Sequence, residues 1–71
     1  PVSLKKKELE VFHILCKNIN KNISYEYLKD IVWINKNISD STVRDVVSRL
    51  KKKLDDINIE NISNFGYVLK K

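Results

Sequence analysis

Seventy-one residues, with fourteen Lys and Arg against nine Asp and Glu, give a net charge of +5. A chain of this length holds one domain at most, with a thin core, and its single cysteine, Cys16, excludes an internal disulfide. No apolar run approaches membrane-spanning length, no signal peptide is visible, and one glycine cannot build a glycine-rich phosphate loop.

The acidic residues remain plentiful, which fits a folded domain with one basic face better than a disordered basic tail. Such a face points to a polyanion, nucleic acid or an anionic membrane surface; the plain alternative is a solvated lysine coat. The chain opens on Pro1 rather than Met and is expected to be a piece of a longer protein.

Residues 2–4 are a candidate short strand. From Lys5 to about Lys17, Leu9, Val11, Phe12, Ile14, Leu15 and Cys16 cover a broad apolar arc, and Lys6, Glu10, His13 and Lys17 share the remaining face at helical spacing. This predicts a helix buried on more than one side, with Cys16 an unreactive, buried thiol in a reducing cytoplasm. Asn18 to Ile23 reads as a polar loop ending in a short extended piece. Ser24 is a good N-cap with Glu26 in the first turn, so a second helix runs from Tyr25 to about Trp33 with Leu28, Ile31 and Val32 inward. Residues 34–38 are a linker of poor helix formers.

Ser39-Asp40-Ser41-Thr42 is rich in capping residues and starts a third helix, without singling out the cap itself. Val43, Val47, Leu50 and Leu54 form one apolar stripe with Val46 beside it, and the helix ends near Leu54 or Asp55. Ile59–Ile62 and Tyr67–Leu69 read as strands. Between them Ser63-Asn64-Phe65-Gly66 holds two residues, Asn64 and Gly66, that tolerate positive φ. The fold class expected is mostly α with a small β part: a winged helix-turn-helix, three helices followed by a C-terminal β-hairpin wing. That arrangement places one helix in the DNA major groove and a hairpin beside it.

On the third helix, counting about 100° per residue, the face opposite the stripe points Ser41, Asp45, Ser48 and Lys52 outward. Arg44 and Lys51 lie on one flank, Arg49 and Lys53 on the other. Small side chains let a helix backbone approach base edges, Arg pairs with guanine O6 and N7, and lysines near the helix end suit phosphates. An ordinary solvated amphipathic helix would carry the same pattern. Catalysis has little support: there is one His, His13, on the polar side of the first helix, and no zinc-ligand spacing, so no enzyme, cofactor or metal is expected.

Taken in order, Leu4 to Leu15, Ser24-Tyr25-Glu26-Tyr27-Leu28 with Ile31-Val32-Trp33, Thr42-Val43 with Val47-Ser48-Arg49-Leu50-Lys51-Lys52-Lys53-Leu54, and Ile62 through Gly66-Tyr67-Val68-Leu69 span nearly the whole chain. In this order and spacing the chain resembles the C-terminal effector domain of OmpR/PhoB-type response regulators. The resemblance implies sequence-specific binding of double-stranded DNA for transcriptional regulation, as the effector of a two-component system. It implies Ser48 and Arg49 at the groove, Lys51 where the family commonly has a backbone-contacting Arg, and Ser41 and Thr42 near a phosphate. Trp33 presents its indole N–H to the DNA backbone or is a core residue, and Tyr67 offers its hydroxyl. Arg44, Asp45 and Lys52 on the helix and Asn61 and Ser63 on the wing complete the expected DNA-binding set. The linker 34–38, with its one charge on Lys36, resembles a loop through which some members touch RNA polymerase. A homodimer on DNA is expected.

By the same resemblance the family's N-terminal strands are mostly missing, with residues 2–4 the last of them, and so is the receiver domain. Two departures stand out. Asp45-Val46 replaces an apolar residue followed by His, which puts a carboxylate on the DNA face. Ser63-Asn64 replaces an Arg-Gly pair, which removes a cation from the wing. Both leave open a second reading, a winged helix that binds protein rather than DNA.

Overall fold

The computed structural model describes residues 3–34 and 37–71. Helix α1 spans Lys6–Lys17, strand β1 Ile23–Ser24, helix α2 Tyr25–Val32, helix α3 Asp40–Lys53, strand β2 Asn58–Ile62 and strand β3 Gly66–Lys70. Each of the three expected helices is present, and the hairpin follows them. The expected short extended piece before α2 is β1, and it does more than end a loop. It pairs antiparallel with β3, Ile23 opposite Tyr67 and Ser24 opposite Gly66, so β3 is the centre of a three-stranded sheet ordered β1-β3-β2. The wing is thereby tied to the start of α2.

The caps explain the boundaries. Ser24 accepts a hydrogen bond on its hydroxyl oxygen from the Tyr27 backbone N–H at 3.0 Å, closing the first turn of α2. Ser39 is the N-cap of α3, and Thr42 N–H reaches its carbonyl at 3.1 Å. At the far end of α2, the Lys7 ammonium donates to the Val32 carbonyl at 2.6 Å, placing a cation where the helix leaves its last carbonyls unpaired.

The core is built where the three helices meet: Val11 and Leu15 of α1, Leu28 of α2, and Val43, Val47 and Leu50 of α3 are fully buried, with Ile59 and Leu69 closing it from the sheet. Each such side chain contributes roughly 1.5–3 kcal/mol of transfer free energy, which matters in so small a domain. Glu8 is buried with them. Its carboxylate accepts from the Lys5 backbone N–H at 3.0 Å and from the Lys53 ammonium at 2.7 Å, pinning the start of α1 to the end of α3. The Lys53 hydrogen bond and then the Lys5 N–H hold this carboxyl below its ordinary value against the opposing effect of burial.

Several expectations need correction. Ser3 and Leu4 are not in a strand, because among the described residues no neighbouring strand pairs with them; Val2 lies outside the described residues. Leu9 and Ile31 were expected inward but are 55% and 48% exposed, since the two helices meet along Val11, Leu15, Leu28 and Val32 and leave the next row of each helix outside. Cys16 is half-buried rather than fully buried, and desolvation pushes its thiol above the ordinary value. In the hairpin turn Asn64 takes the positive φ, 59°, whereas Gly66 does not. Gly66 is needed for a different reason: a Cβ there would lie 1.9 Å from the Ile23 carbonyl oxygen, so only glycine lets β1 close on β3.

Candidate nucleic-acid interface

Helix α3 carries its apolar residues Val43, Val46, Val47 and Leu50 inward and Arg44, Arg49, Lys51 and Lys52 outward. The hairpin rises beside it because Ile59, Tyr67 and Leu69 join the same core. Between the two elements lies an open groove. Arg44, Val47, Ser48, Lys51 and Lys52 form its α3 wall, and Asn61 and Tyr67 form its hairpin wall. Six of the twelve residues expected from the sequence to contact DNA thus meet in one place: Arg44, Ser48, Lys51, Lys52, Asn61 and Tyr67.

The other six lie elsewhere. Ser41 is exposed and Thr42 half-buried in the first turn of α3. Asp45 and Arg49 are on the outward face of α3, joined by an ion pair of 3.0 Å across one helical turn, with the acid N-terminal to the base. Ser63 is exposed in the hairpin turn. Trp33 is 6% exposed at the C-cap of α2, with the Lys7 ammonium 5.8 Å from its ring centroid. It lines a separate depression with Glu26, Lys29, Asp30, Ile34, Asn37 and Ile38, so the structure does not bring it into the groove. Of the expected linker 34–38, Asn35 and Lys36 lie outside the described residues. Lys53, placed by helical counting on a flank of the DNA-facing surface, turns instead to Glu8 and the Ser3 carbonyl.

Behind the walls of the groove is a polar cluster that sequence spacing did not reveal. The Tyr25 hydroxyl oxygen accepts from Arg44 Nε at 3.2 Å and from Asn61 Nδ2 at 3.0 Å, and Asn61 also donates to the Gly66 carbonyl at 3.2 Å. The Tyr25 and Tyr67 rings meet edge to face, centroids 5.6 Å apart, and the Arg44 guanidinium lies 5.8 Å from the Tyr25 centroid. The Arg44 hydrogen bond is the main reason the Tyr25 phenol sits below its ordinary value. Burial, reinforced by the neighbouring Tyr25 phenol, pushes the Tyr67 phenol up to about 12, so Tyr67 stays neutral across the physiological range. The one signal for Tyr25 in the sequence is a tyrosine directly after an N-cap, at helical spacing with the buried Leu28 and Val32. No local pattern links it to Arg44 nineteen residues on.

A sequence profile described as "Transcriptional regulatory protein, C terminal" matches residues 1–69. The chain belongs to this family. It is a family of transcription regulators and not of enzymes. Solved structures agree. The DNA-binding domain of Bacillus subtilis CssR superposes with a TM-score of 0.91 at 28% identity, over 96% of this chain and 78% of that one. The response regulator DrrB, a Thermotoga maritima OmpR/PhoB homologue, gives 0.88 at 28% identity, over 99% of this chain and 34% of that one. The C-terminal domain of the nisin resistance regulator NsrR gives 0.82 at 28% identity, over 99% and 76%. Among curated proteins no sequence relative matches. The fold and the family are therefore those of the OmpR/PhoB-type regulators that the sequence resembles. Among the described residues no helix is long and apolar enough to cross a membrane.

Proposed function

We propose that this domain regulates transcription by binding double-stranded DNA, with α3 in the major groove and the β2–β3 hairpin beside it. The observation that carries this reading is the groove itself. Three cations and a small hydroxyl from α3 face a hairpin wall of Asn61 and Tyr67, on the fold of a transcription-regulator family. Lys51 and Lys52, near the end of α3, neutralise phosphates; Arg44 and the first-turn residues Ser41 and Thr42 position the backbone; Ser48 and Arg49 meet base edges. Asp45 acts on Arg49 through their ion pair. Ser63 extends the hairpin contact. Any contact of Trp33 with DNA falls outside the groove.

The domain acts as the sequence-specific effector of a two-component response regulator in the cytoplasm. Two copies bind repeated half-sites about 10 bp apart, since one recognition helix reads only a short sequence. Loop 34–38 is the segment offered to RNA polymerase. The test is a fluorescence-anisotropy titration of the domain against random-pool duplexes and the sequences selected from them, at two salt concentrations. Specific, strongly salt-dependent binding is expected; weak binding with no salt dependence would favour a protein-binding winged helix instead. Scrambling one half-site should abolish tight binding if the dimer is the functional unit.

A further inference from the structure

The Tyr25 ring packs in the core, but its hydroxyl bonds a side chain from each wall of the groove. Its ring is buried, and a buried phenol must find hydrogen-bond partners. Yet the partners it has are neither core groups nor backbone: they are Arg44 of α3 and Asn61 of β2, the two polar side chains that line the groove from opposite walls. A phenolic oxygen has two lone pairs, and both are engaged. The backbone reinforces the same seam: Tyr25 N–H donates to the Phe65 carbonyl at 2.8 Å, and Ser24 pairs with Gly66. One side chain at the start of α2 therefore holds helix and hairpin together.

For Arg44 the consequence is directional. A guanidinium offers five N–H donors in a planar fork. Fixing Nε on Tyr25, with the guanidinium close to the ring, leaves the four donors of the terminal nitrogens in a set plane, and among the described residues none of them has a protein hydrogen-bond partner. Without that restraint, an exposed arginine explores many rotamers and must be ordered when DNA arrives.

We propose that Tyr25 is a positioning residue for DNA recognition: by holding Arg44 and Asn61 it presents the Arg44 fork to a phosphate at the mouth of the groove and sets the angle of the hairpin to α3. This rests on the groove being the DNA interface. Tyr25 itself touches no DNA; it acts through Arg44.

The experiment is a double-substitution cycle on a duplex selected from a random pool by the unmodified domain, read by anisotropy, with melting temperatures measured in parallel. Tyr25→Phe keeps the ring and should lower affinity about two- to tenfold, the equivalent of ordering one long side chain on binding. In the Arg44→Ala background the same substitution should have almost no effect. Arg44→Lys keeps the charge but has no fork to share between Tyr25 and a phosphate, so it should lose affinity to a similar degree. Equal losses from Tyr25→Phe with and without Arg44 would overturn the proposal, since that is the signature of a purely structural hydroxyl. Unchanged binding by Arg44→Lys would overturn it as well, through a variant that leaves Tyr25 intact. If the unmodified domain selects no duplex, the interface reading fails, and the inference with it.

Discussion

Replacing Asp45 by asparagine removes one negative charge from the outward face of α3 at nearly constant side-chain volume. In the structure its carboxylate lies 3.0 Å from the Arg49 guanidinium, with side chains 59% and 53% exposed. An exposed pair at this helical spacing contributes about 0.3–0.5 kcal/mol to folding, so the melting temperature should fall by only about 1–4 °C. Binding should change more, and in two opposite senses. A carboxylate about 8 Å from a phosphate costs about 0.5 kcal/mol in water, so its loss should raise non-specific affinity roughly twofold. Arg49 meanwhile loses the partner that holds its fork, and re-ordering it on a base should cost about two- to tenfold on the preferred sequence. Repulsion is relieved on both duplexes alike, so the ratio of specific to non-specific affinity should drop by the re-ordering factor alone, about two- to tenfold, which does not exceed the discrimination of roughly 1–3 kcal/mol that one arginine–guanine pair supplies. Anisotropy titrations with a selected and a scrambled duplex measure that ratio directly. An equal gain on both duplexes would refute the reasoning and leave Asp45 a merely repelled charge. A change of preference at a cytosine-bearing position, with the Arg49 position untouched, would instead mark Asp45 as reading a base itself.

Three further outcomes are expected. Gly66→Ala puts a methyl group 1.9 Å from the Ile23 carbonyl oxygen, which forces β1 off β3; overpacking of this kind costs about 1–3 kcal/mol, so thermal unfolding should occur about 5–20 °C lower, and an unchanged melting temperature would show that the β1 pairing is dispensable. The Glu8 carboxyl is held below its ordinary value of 4.5, so its contribution to stability is complete above that value and is lost as the pH falls through the lower folded-state value. Acid unfolding should accordingly begin below about pH 4.5 and should show a shallower pH dependence in Glu8→Gln; superimposable slopes would contradict the Glu8–Lys53 pairing as its cause. Lys51→Ala and Lys52→Ala should each reduce the slope of log affinity against log salt by roughly 0.9, and a slope that does not move would remove that lysine from the phosphate contacts.

Much of the architecture is legible along the chain because it is written in local periodicity. Val43, Val47 and Leu50 recur at helical spacing and are buried as a stripe, and Ser24 closes α2 through a bond to a residue three positions away. Two short strand-like runs and the positive φ tolerated by Asn64 between them mark the hairpin. The same counting places Arg44, Ser48, Lys51 and Lys52 on the side of α3 away from its stripe, and that side is one wall of the groove.

What helical counting cannot supply is the partner of a side chain from a distant element. Lys53 falls by angle on the flank of the outward face, yet its ammonium is held by Glu8, forty-five residues earlier, and by the Ser3 carbonyl. Leu9 and Ile31 carry the right apolar character for burial, but which row of a broad stripe goes inward is settled only when two helices choose their contact line. Gly66 looks like a turn glycine, and its need arises instead from β1, forty-odd residues away in sequence and at van der Waals distance in space. Tyr25 is the sharpest case. Its position after an N-cap follows from the order of the residues, whereas its hold on Arg44 and Asn61 exists only because the sheet brings the start of α2 under the hairpin while the core sets α3 beside it. Periodicity determines which face each element turns outward; the packing of one element on another decides which of those outward residues meet, and so where a groove can form.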